Sequence, residues 1–304
     1  MDEPQPASAA DSWRVVVFTN LPGGMAYHGI DAVVRPLGHR IVGAVTSPGP
    51  KRRRSDSYLD VVKAAPPGVD MIVTNHPERL AAMLAPLRPD LIVSAGFPWR
   101  IPREVIELPR IGAINFHPSI LPRHRGPNSV GWAFRADDPE IGFTIHRLDA
   151  DFDTGAILAQ TRIPVHDDDD NASITGPLMQ CVPALLTAAL ERLARGEAGE
   201  PQDETKATYA GLFEDEWRVI DWSRPARTIH NQVRSWIGFR DIAGGAYGRI
   251  DGKTLLITKT RLLHTPSGSA SPPGTVLSQN GEPFVVQCGD GPLEIIAWTR
   301  SPGT

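Results

Sequence analysis

Two stretches of this chain concentrate side chains able to do chemistry. Ile114–Asn128 reads INFHPSILPRHRGPN, and its opening apolar run carries Asn115 and His117 at its end. Residues i and i+2 of a strand point to the same side. A primary amide and an imidazole therefore share one face at the strand's end, where Pro118 stops the run. Such a pair either lines a crevice or satisfies the backbone of the loop that follows. The second stretch, Phe143–Gly155, reads FTIHRLDADFDTG, a strand and then an acidic loop with Asp149, Asp151 and Asp153. Three carboxylates suit a hard cation or a turn closed by Asx hydrogen bonds. No glycine stands at the sixth loop position and no downstream glutamate completes a calcium loop, so no metal is expected here.

These residues need a scaffold, and the hydrophobic pattern supplies one. Trp13–Asn20, Arg40–Ser47, Asp70–Thr74, Leu91–Ala95, Ala113–His117 and Gly142–Leu148 are short apolar runs that read as strands. A helix is expected from the Gly23-Gly24 turn to about Leu37. Another spans His76–Leu87, with Leu80, Met83, Leu84 and Leu87 on one face. Buried strands alternating with helices predict an α/β fold, a doubly wound and mostly parallel sheet, with its site beyond the carboxyl ends of the strands.

A long helix is expected over Ser173–Arg195, with Leu178, Cys181, Val182, Leu185, Leu186, Ala189 and Leu193 forming its apolar face. Pro177 and Pro183 predict a late start or a kink. After a polar Gly/Pro-bearing linker, Gly196–Lys206, the texture changes. One helix over Pro225–Trp236 precedes short strands at Gly245–Ile250, Thr254–Arg261, Thr275–Ser278, Phe284–Cys288 and Leu293–Thr299, as in a small β barrel or sandwich. The expected division is a disordered lead over 1–12, a first domain over 13–202, and a linker helix with a second domain over 203–304. Trp217, Trp222 and Trp236 are expected in packing.

Composition narrows the function classes. The 304 residues carry 31 Lys and Arg against 35 Asp and Glu, a net charge of −4, which gives no global pull toward nucleic acid. Lys51-Arg52-Arg53-Arg54 is the local exception, either a phosphate-contacting loop or a solvated turn. Cys181 and Cys288 lie far apart and have no zinc-ligand spacing, so both read as small buried hydrophobes. No run of about 18 consecutive apolar residues is present, so no membrane span or membrane partner is expected. The start, MDEPQPASAADSW, lacks a signal pattern, and a cytoplasmic protein is expected.

Taken together, the two chemical stretches resemble the 10-formyltetrahydrofolate-dependent N-formyltransferase family. The likeness rests on Asn115, His117, Ser119, Ile120, Leu121, Pro122 and Gly126, followed by Asp153 and Gly155. It extends through Tyr209-Ala210, Ile220-Asp221-Trp222 and Pro225-Ala226. In the C-terminal strands it continues through Pro273-Gly274-Thr275-Val276 and Cys288-Gly289-Asp290-Gly291. The resemblance implies a Rossmann-like catalytic domain followed by a small C-terminal OB-like β-barrel.

The resemblance also implies roles. Asn115 and His117 would stabilise the oxyanion formed when an amine attacks the formyl carbon. Asp153 would orient the imidazole, raise its pKa and relay the proton. The co-substrate 10-formyltetrahydrofolate would lie beside Val93, Ala95, Gly96 and Phe97 and the loop bearing Leu148 and Asp151. Ile120, Leu121 and Pro122 would add apolar wall. Ser119 and Gly126 would shape the loop, Gly126 at positive φ.

The acceptor is open between a small-molecule amine and methionyl-tRNA. The net charge, the TNLPGGMAYHG turn and the HRGPNS segment favour a small amine such as an amino-sugar nucleotide, a siderophore or a natural-product precursor, with tRNA second. GFTIHRLDADFDTGAILAQTRI is closer to aminoarabinose-type members of the family. Tyr27, Asn128, Trp132 and Arg147 are candidate acceptor contacts because they flank crevice loops. An inactive folate-binding module is a third reading, opposed by the intact Asn115, His117 and Asp153 set. A homodimer is a further candidate assembly.

Overall fold

The computed structural model describes residues 12–50, 55–237, 244–263, 271–278 and 283–300. The basic run at 51–54 and all of the lead except Ser12 lie outside the described residues.

The chain begins with β1 (Arg14–Thr19), α1 (Met25–Val34), β2 (Arg40–Thr46), α2 (Ser57–Ala64) and β3 (Asp70–Val73). It continues through α3 (Leu80–Leu84), β4 (Leu91–Ala95), α4 (Arg103–Ile106), β5 (Gly112–His117) and α5 (Ser129–Arg135). Next come β6 (Glu140–Arg147), β7 (Ile157–Pro164), α6 (Asn171–Ala194) and α7 (Ala226–Ser235). The last five strands are β8 (Ala246–Ile250), β9 (Lys253–Leu262), β10 (Val276–Ser278), β11 (Phe284–Gln287) and β12 (Pro292–Arg300).

The first seven strands form one sheet in the order β3-β2-β1-β4-β5-β6-β7. Neighbours from β3 through β5 are parallel, whereas β5 and β6 are antiparallel. This is the mostly parallel, helix-covered α/β sheet expected of the apolar strand pattern. Its strand order reverses between β1 and β4, the switch at which such sheets open a crevice at their carboxyl ends. Val16, Phe18, Val45, Leu80, Leu84, Ile92, Val105 and Ala113 pack one of its cores. Each large apolar side chain so buried contributes about 1.5–3 kcal/mol.

The other five strands form an antiparallel sheet, β10-β11-β12-β9-β8, curled as in an OB-like half-barrel. Trp217, Trp222 and Trp236 are buried in its core with Ile229, Val233, Ile257, Val286 and Leu293. Cys288 is buried there and burial pushes its thiol up to about 12, while Cys181 is only half-buried.

Several local readings change. The helix expected over 76–87 is broken into short turns around α3, and Pro86 lies in the last of them. α1 stops at Val34 instead of reaching Leu37. α6 starts at Asn171, ahead of both prolines, because Asp170 Oδ1 caps it by accepting from the N–H groups of Ala172 (2.8 Å) and Ser173 (2.9 Å). By length and composition alone α6 could cross a membrane. Its residues Ile174, Leu178, Val182, Leu185, Leu186, Ala189 and Leu193 nevertheless form a buried stripe, as in the core helix of a globular protein. α2, α4, α5 and β7 were not foreseen.

The chain forms two compact units. The first comprises Met1–Arg125, Gly142–Thr161 and Gln180–Thr208; the second comprises Gly126–Ile141, Arg162–Met179 and Tyr209–Thr304. A cut at residues 202/203 does not follow these units. Within the second, α5 and its flanking turn pack on α7, where Asn231 Nδ2 donates to Asp137 Oδ1 at 2.9 Å and Arg234 lies 3.6 Å from the same oxygen.

Candidate active site

The first unit brings the amide, the imidazole and the carboxylate together. The register of β5 on β6 sets Asn115 opposite His146 and His117 opposite Thr144. Asp153, in the loop after β6, returns to the same place. Asn115 Nδ2 donates to Asp153 Oδ1 at 3.3 Å, and His117 Nδ1 lies 3.5 Å from that oxygen. His146 Nε2 completes the group at 3.4 Å from the same atom and 3.2 Å from Asn115 Nδ2.

Backbone carbonyls define both imidazoles. His117 Nε2 meets His124 O at 2.8 Å, and His146 Nδ1 meets Arg147 O at 2.8 Å. A carbonyl oxygen only accepts, so each of these ring nitrogens carries a proton. The other nitrogen of each ring faces Asp153. His117 and His146 are buried, while Asn115 is only half-buried and remains the most accessible donor of the group. The expected upward pull of Asp153 on His117 is present, but burial outweighs it and holds the imidazole below its ordinary pKa. His117 is therefore neutral at neutral pH.

Loop geometry places the carboxylate. Asp153 has φ of 58°, a left-handed conformation that aspartate tolerates better than most side chains. Gln202 Nε2 donates to Asp153 O and Gly155 O, both at 2.8 Å. Arg125 in turn donates to Gln202 Oε1 and, with two nitrogens, to the Glu204 carboxylate. Gly155 is required because a Cβ there would stand 1.9 Å from Arg147 O.

The loop after β5 is fixed similarly. Ser119 Oγ donates to Arg123 O at 2.8 Å, while Thr144 Oγ1 donates to Ser119 O at 2.7 Å and accepts from Leu121 N and Gln160 Nε2. Gly126, in the second unit, does adopt positive φ, 106°, and a Cβ there would meet Ala210 O at 3.0 Å.

The residues expected along the folate divide by exposure. Gly96 is exposed at φ 67°, with Phe97, Ile120, Pro122 and Leu148 half-buried. Asp151 is exposed and lies 3.2 Å from Arg100, which also donates to Ala150 O. Val93, Ala95 and Leu121 are buried; Val93 is in mid-β4 with β1 and β5 on its two edges, so it supports the wall from behind. Phe97 and Leu148 also pack against the sheet core, Phe97 edge-on to Phe18 at 5.1 Å.

The acceptor contacts fare less well. Arg147 neighbours His146 in β6 and so points to the opposite face. Its guanidinium donates to Ala198 O (2.9 Å) and Glu197 O (2.6 Å), where burial lowers its pKa. Tyr27 is buried on the inner side of α1. In the second unit, Trp132 Nε1 donates to Gly211 O at 2.7 Å and its ring lies against Arg135 and the barrel core. These three are held in packing and backbone contacts. Asn128, also in the second unit, precedes α5 as a buried amide whose Nδ2 has no partner.

Sequence reasoning passed over His146, Thr144, Gln160 and Gln202. Thr144 and His146 carried a signal, since they alternate with Ile145 and so share the face that meets Asn115 and His117. Gln202 carried none, being distant in sequence from everything it touches. Among the described residues no His, Cys, Asp and Glu group could hold a metal ion.

Comparison with known proteins places the chain in a family. The Formyl transferase family matches residues 46–190, and its C-terminal domain matches residues 213–301. Methionyl-tRNA formyltransferase of Citrifermentans bemidjiense is 34% identical over 85% of this chain and 80% of its own length. That of Pelobacter propionicus is 32% identical over 93% and 88%. Among solved structures, the N-formyltransferase from Helicobacter canadensis, in complex with folinic acid and dTDP-3-aminofucose, superposes with a TM-score of 0.67. It is 16% identical and covers 95% of this chain and 100% of its own, a likeness of fold.

Proposed function

This chain belongs to the formyltransferase family, a folate-dependent N-formyltransferase using 10-formyltetrahydrofolate, and on that premise we propose that Asn115, His117 and Asp153 transfer the formyl group to the amine of methionyl-tRNA. The observation that carries the catalytic assignment is the meeting of Asn115 Nδ2 and His117 Nδ1 on one oxygen of Asp153, at 3.3 Å and 3.5 Å.

The residues divide the reaction as follows. The acceptor nitrogen forms its bond to the formyl carbon while the carbonyl π pair moves onto oxygen. Asn115 Nδ2–H, half-buried and preorganised, donates to that oxyanion; one such donor is typically worth about 2.7–4 kcal/mol. The Asp153 carboxylate takes the proton shed by the attacking amine and shares it with His117 Nδ1, whose lone pair is free because Nε2–H is held by His124 O. As the intermediate collapses, the bond from carbon to N10 breaks and N10 receives that proton. Gly96, Phe97, Ile120, Pro122 and the Asp151 loop would hold the folate, with Val93, Ala95, Leu121 and Leu148 behind them.

The acceptor follows the relatives, which are methionyl-tRNA formyltransferases matched over most of their length. They favour tRNA over the small amine that the sequence alone ranked first. A small-amine acceptor is the second reading, favoured by the net charge of −4 and the TNLPGGMAYHG turn. We place the enzyme in the cytoplasm on either reading. Purified protein assayed with 10-formyltetrahydrofolate should yield formylmethionyl-tRNA at low salt. Formylation confined to small amines would overturn the tRNA reading and leave formyl transfer intact.

A further inference from the structure

His146 contributes to the cluster in a way the Asn115, His117 and Asp153 set does not cover. Its Nδ1 is committed as a donor to Arg147 O at 2.8 Å. A neutral imidazole with Nδ1 protonated has only a lone pair at Nε2. That lone pair lies 3.2 Å from Asn115 Nδ2. Asp153 Oδ1 accepts from the same amide nitrogen at 3.3 Å, and because it lies only 3.4 Å from His146 Nε2 the two acceptors stand side by side on one side of Nδ2. Two neighbouring acceptors therefore share one side of the Asn115 NH2, and turning the amide over would place its carbonyl oxygen against a carboxylate and a ring lone pair. The ring is fully buried and stands at 81° to His117, 6.4 Å between centroids.

We propose that His146 is a positioning residue, a fixed-tautomer acceptor that, with Asp153, holds one Asn115 amide hydrogen and so leaves the other aimed into the site. The proposal rests on the reading of Asn115 as the donor to the formyl oxygen. Its chemistry is simple: the carboxylate already disfavours the flipped amide, and a second acceptor on the ring side adds to that penalty and narrows the final torsion. No bond to the substrate is made by His146 itself.

The test is a kinetic cycle with either acceptor that wild-type protein formylates. His146→Leu, which fills the site without an acceptor, should lower kcat by about 30-fold, a fraction of what loss of an oxyanion donor costs. The KM for 10-formyltetrahydrofolate should stay within about twofold, since positioning of one donor is felt mainly in the transition state. His146→Gln, whose carbonyl oxygen can stand near the former Nε2, should recover kcat to within about fivefold of wild type. In an Asn115→Ala background the Leu change should cost less than about twofold, because two residues acting through one contact are not additive. If the Leu variant fails to fold, Gln against wild type and 15N-histidine NMR carry the test; His146 should show a protonated Nδ1 and a bare Nε2. Wild-type kcat in His146→Leu, a full penalty retained without Asn115, no recovery in Gln, or a protonated Nε2 would overturn the proposal. A wild-type protein that formylates no amine would instead overturn the functional reading beneath it.

Discussion

His230, in the second unit, and His117, in the first, are both buried imidazoles with an asparagine, an aspartate and a backbone carbonyl nearby. His230 has both nitrogens filled, Nδ1 by Thr260 Oγ1 at 2.8 Å and Nε2 by Asp167 O at 2.7 Å. Its neighbour Asn231 donates to Asp137 and accepts from Arg234 Nε. His117 has one nitrogen filled at 2.8 Å, while the other faces a carboxylate at 3.5 Å across a group that includes a half-buried amide. A closed cluster of this kind holds elements together. An open one keeps hydrogen-bonding capacity for a ligand, and its loose contacts tighten when the ligand arrives. Similar parts thus serve packing in one unit and chemistry in the other.

The contrast breaks first if activity and stability fail to separate. Asn115→Ala and Asp153→Asn should lower kcat/KM by about 10²–10³-fold, the usual cost of one oxyanion or proton-relay group. Melting temperatures should stay within a few degrees. Asn is the informative change at 153 because it tolerates the left-handed φ of 58°. His230→Gln should do the reverse, with lower stability and near-normal turnover of the folded fraction. Comparable losses of turnover from both clusters would erase the distinction.

A second prediction uses pH. Burial first, and then the neighbouring Arg234 charge, lower His230 to about 4 from an ordinary 6.5. The unfolded chain then binds more protons than the folded one between those values. The contribution is full above the unfolded pKa and is lost as pH falls toward the folded one. Stability should drop by about 2 kcal/mol between about pH 7 and about pH 5 through this group alone. Urea unfolding at the two pH values checks it, and His230→Gln should flatten the slope.

The smallest expected effect concerns Arg147. Arg147→Ala should leave the KM for the acceptor unchanged and cost about 1 kcal/mol of stability from lost hydrogen bonds to backbone carbonyls. An acceptor KM raised tenfold or more, about 1.4 kcal/mol, would restore it as a substrate contact.

What was legible in the sequence follows the range of each interaction. Asn115 and His117 share a face through strand geometry alone, so the pair was visible from five residues. Asp153 required the resemblance, because the return of its loop depends on Gln202 and Gly155. The strands of both sheets except β7 were visible as apolar runs, whereas β7, α2, α4 and α5 were not picked out. Arg147 was a candidate only because it flanks a crevice loop, and strand alternation turns it to the face opposite His146, whose partner lies on the facing strand. Tyr27 and Trp132 looked like crevice residues from their loops, yet each turns inward to pack.

The most direct test of the active-site account is a crystal structure with a non-transferable formyl-folate analogue. The formyl oxygen should lie within about 3.2 Å of Asn115 Nδ2, with the formyl carbon on the side of Asp153. A formyl group bound outside the reach of Asn115, His117 and Asp153 would contradict it.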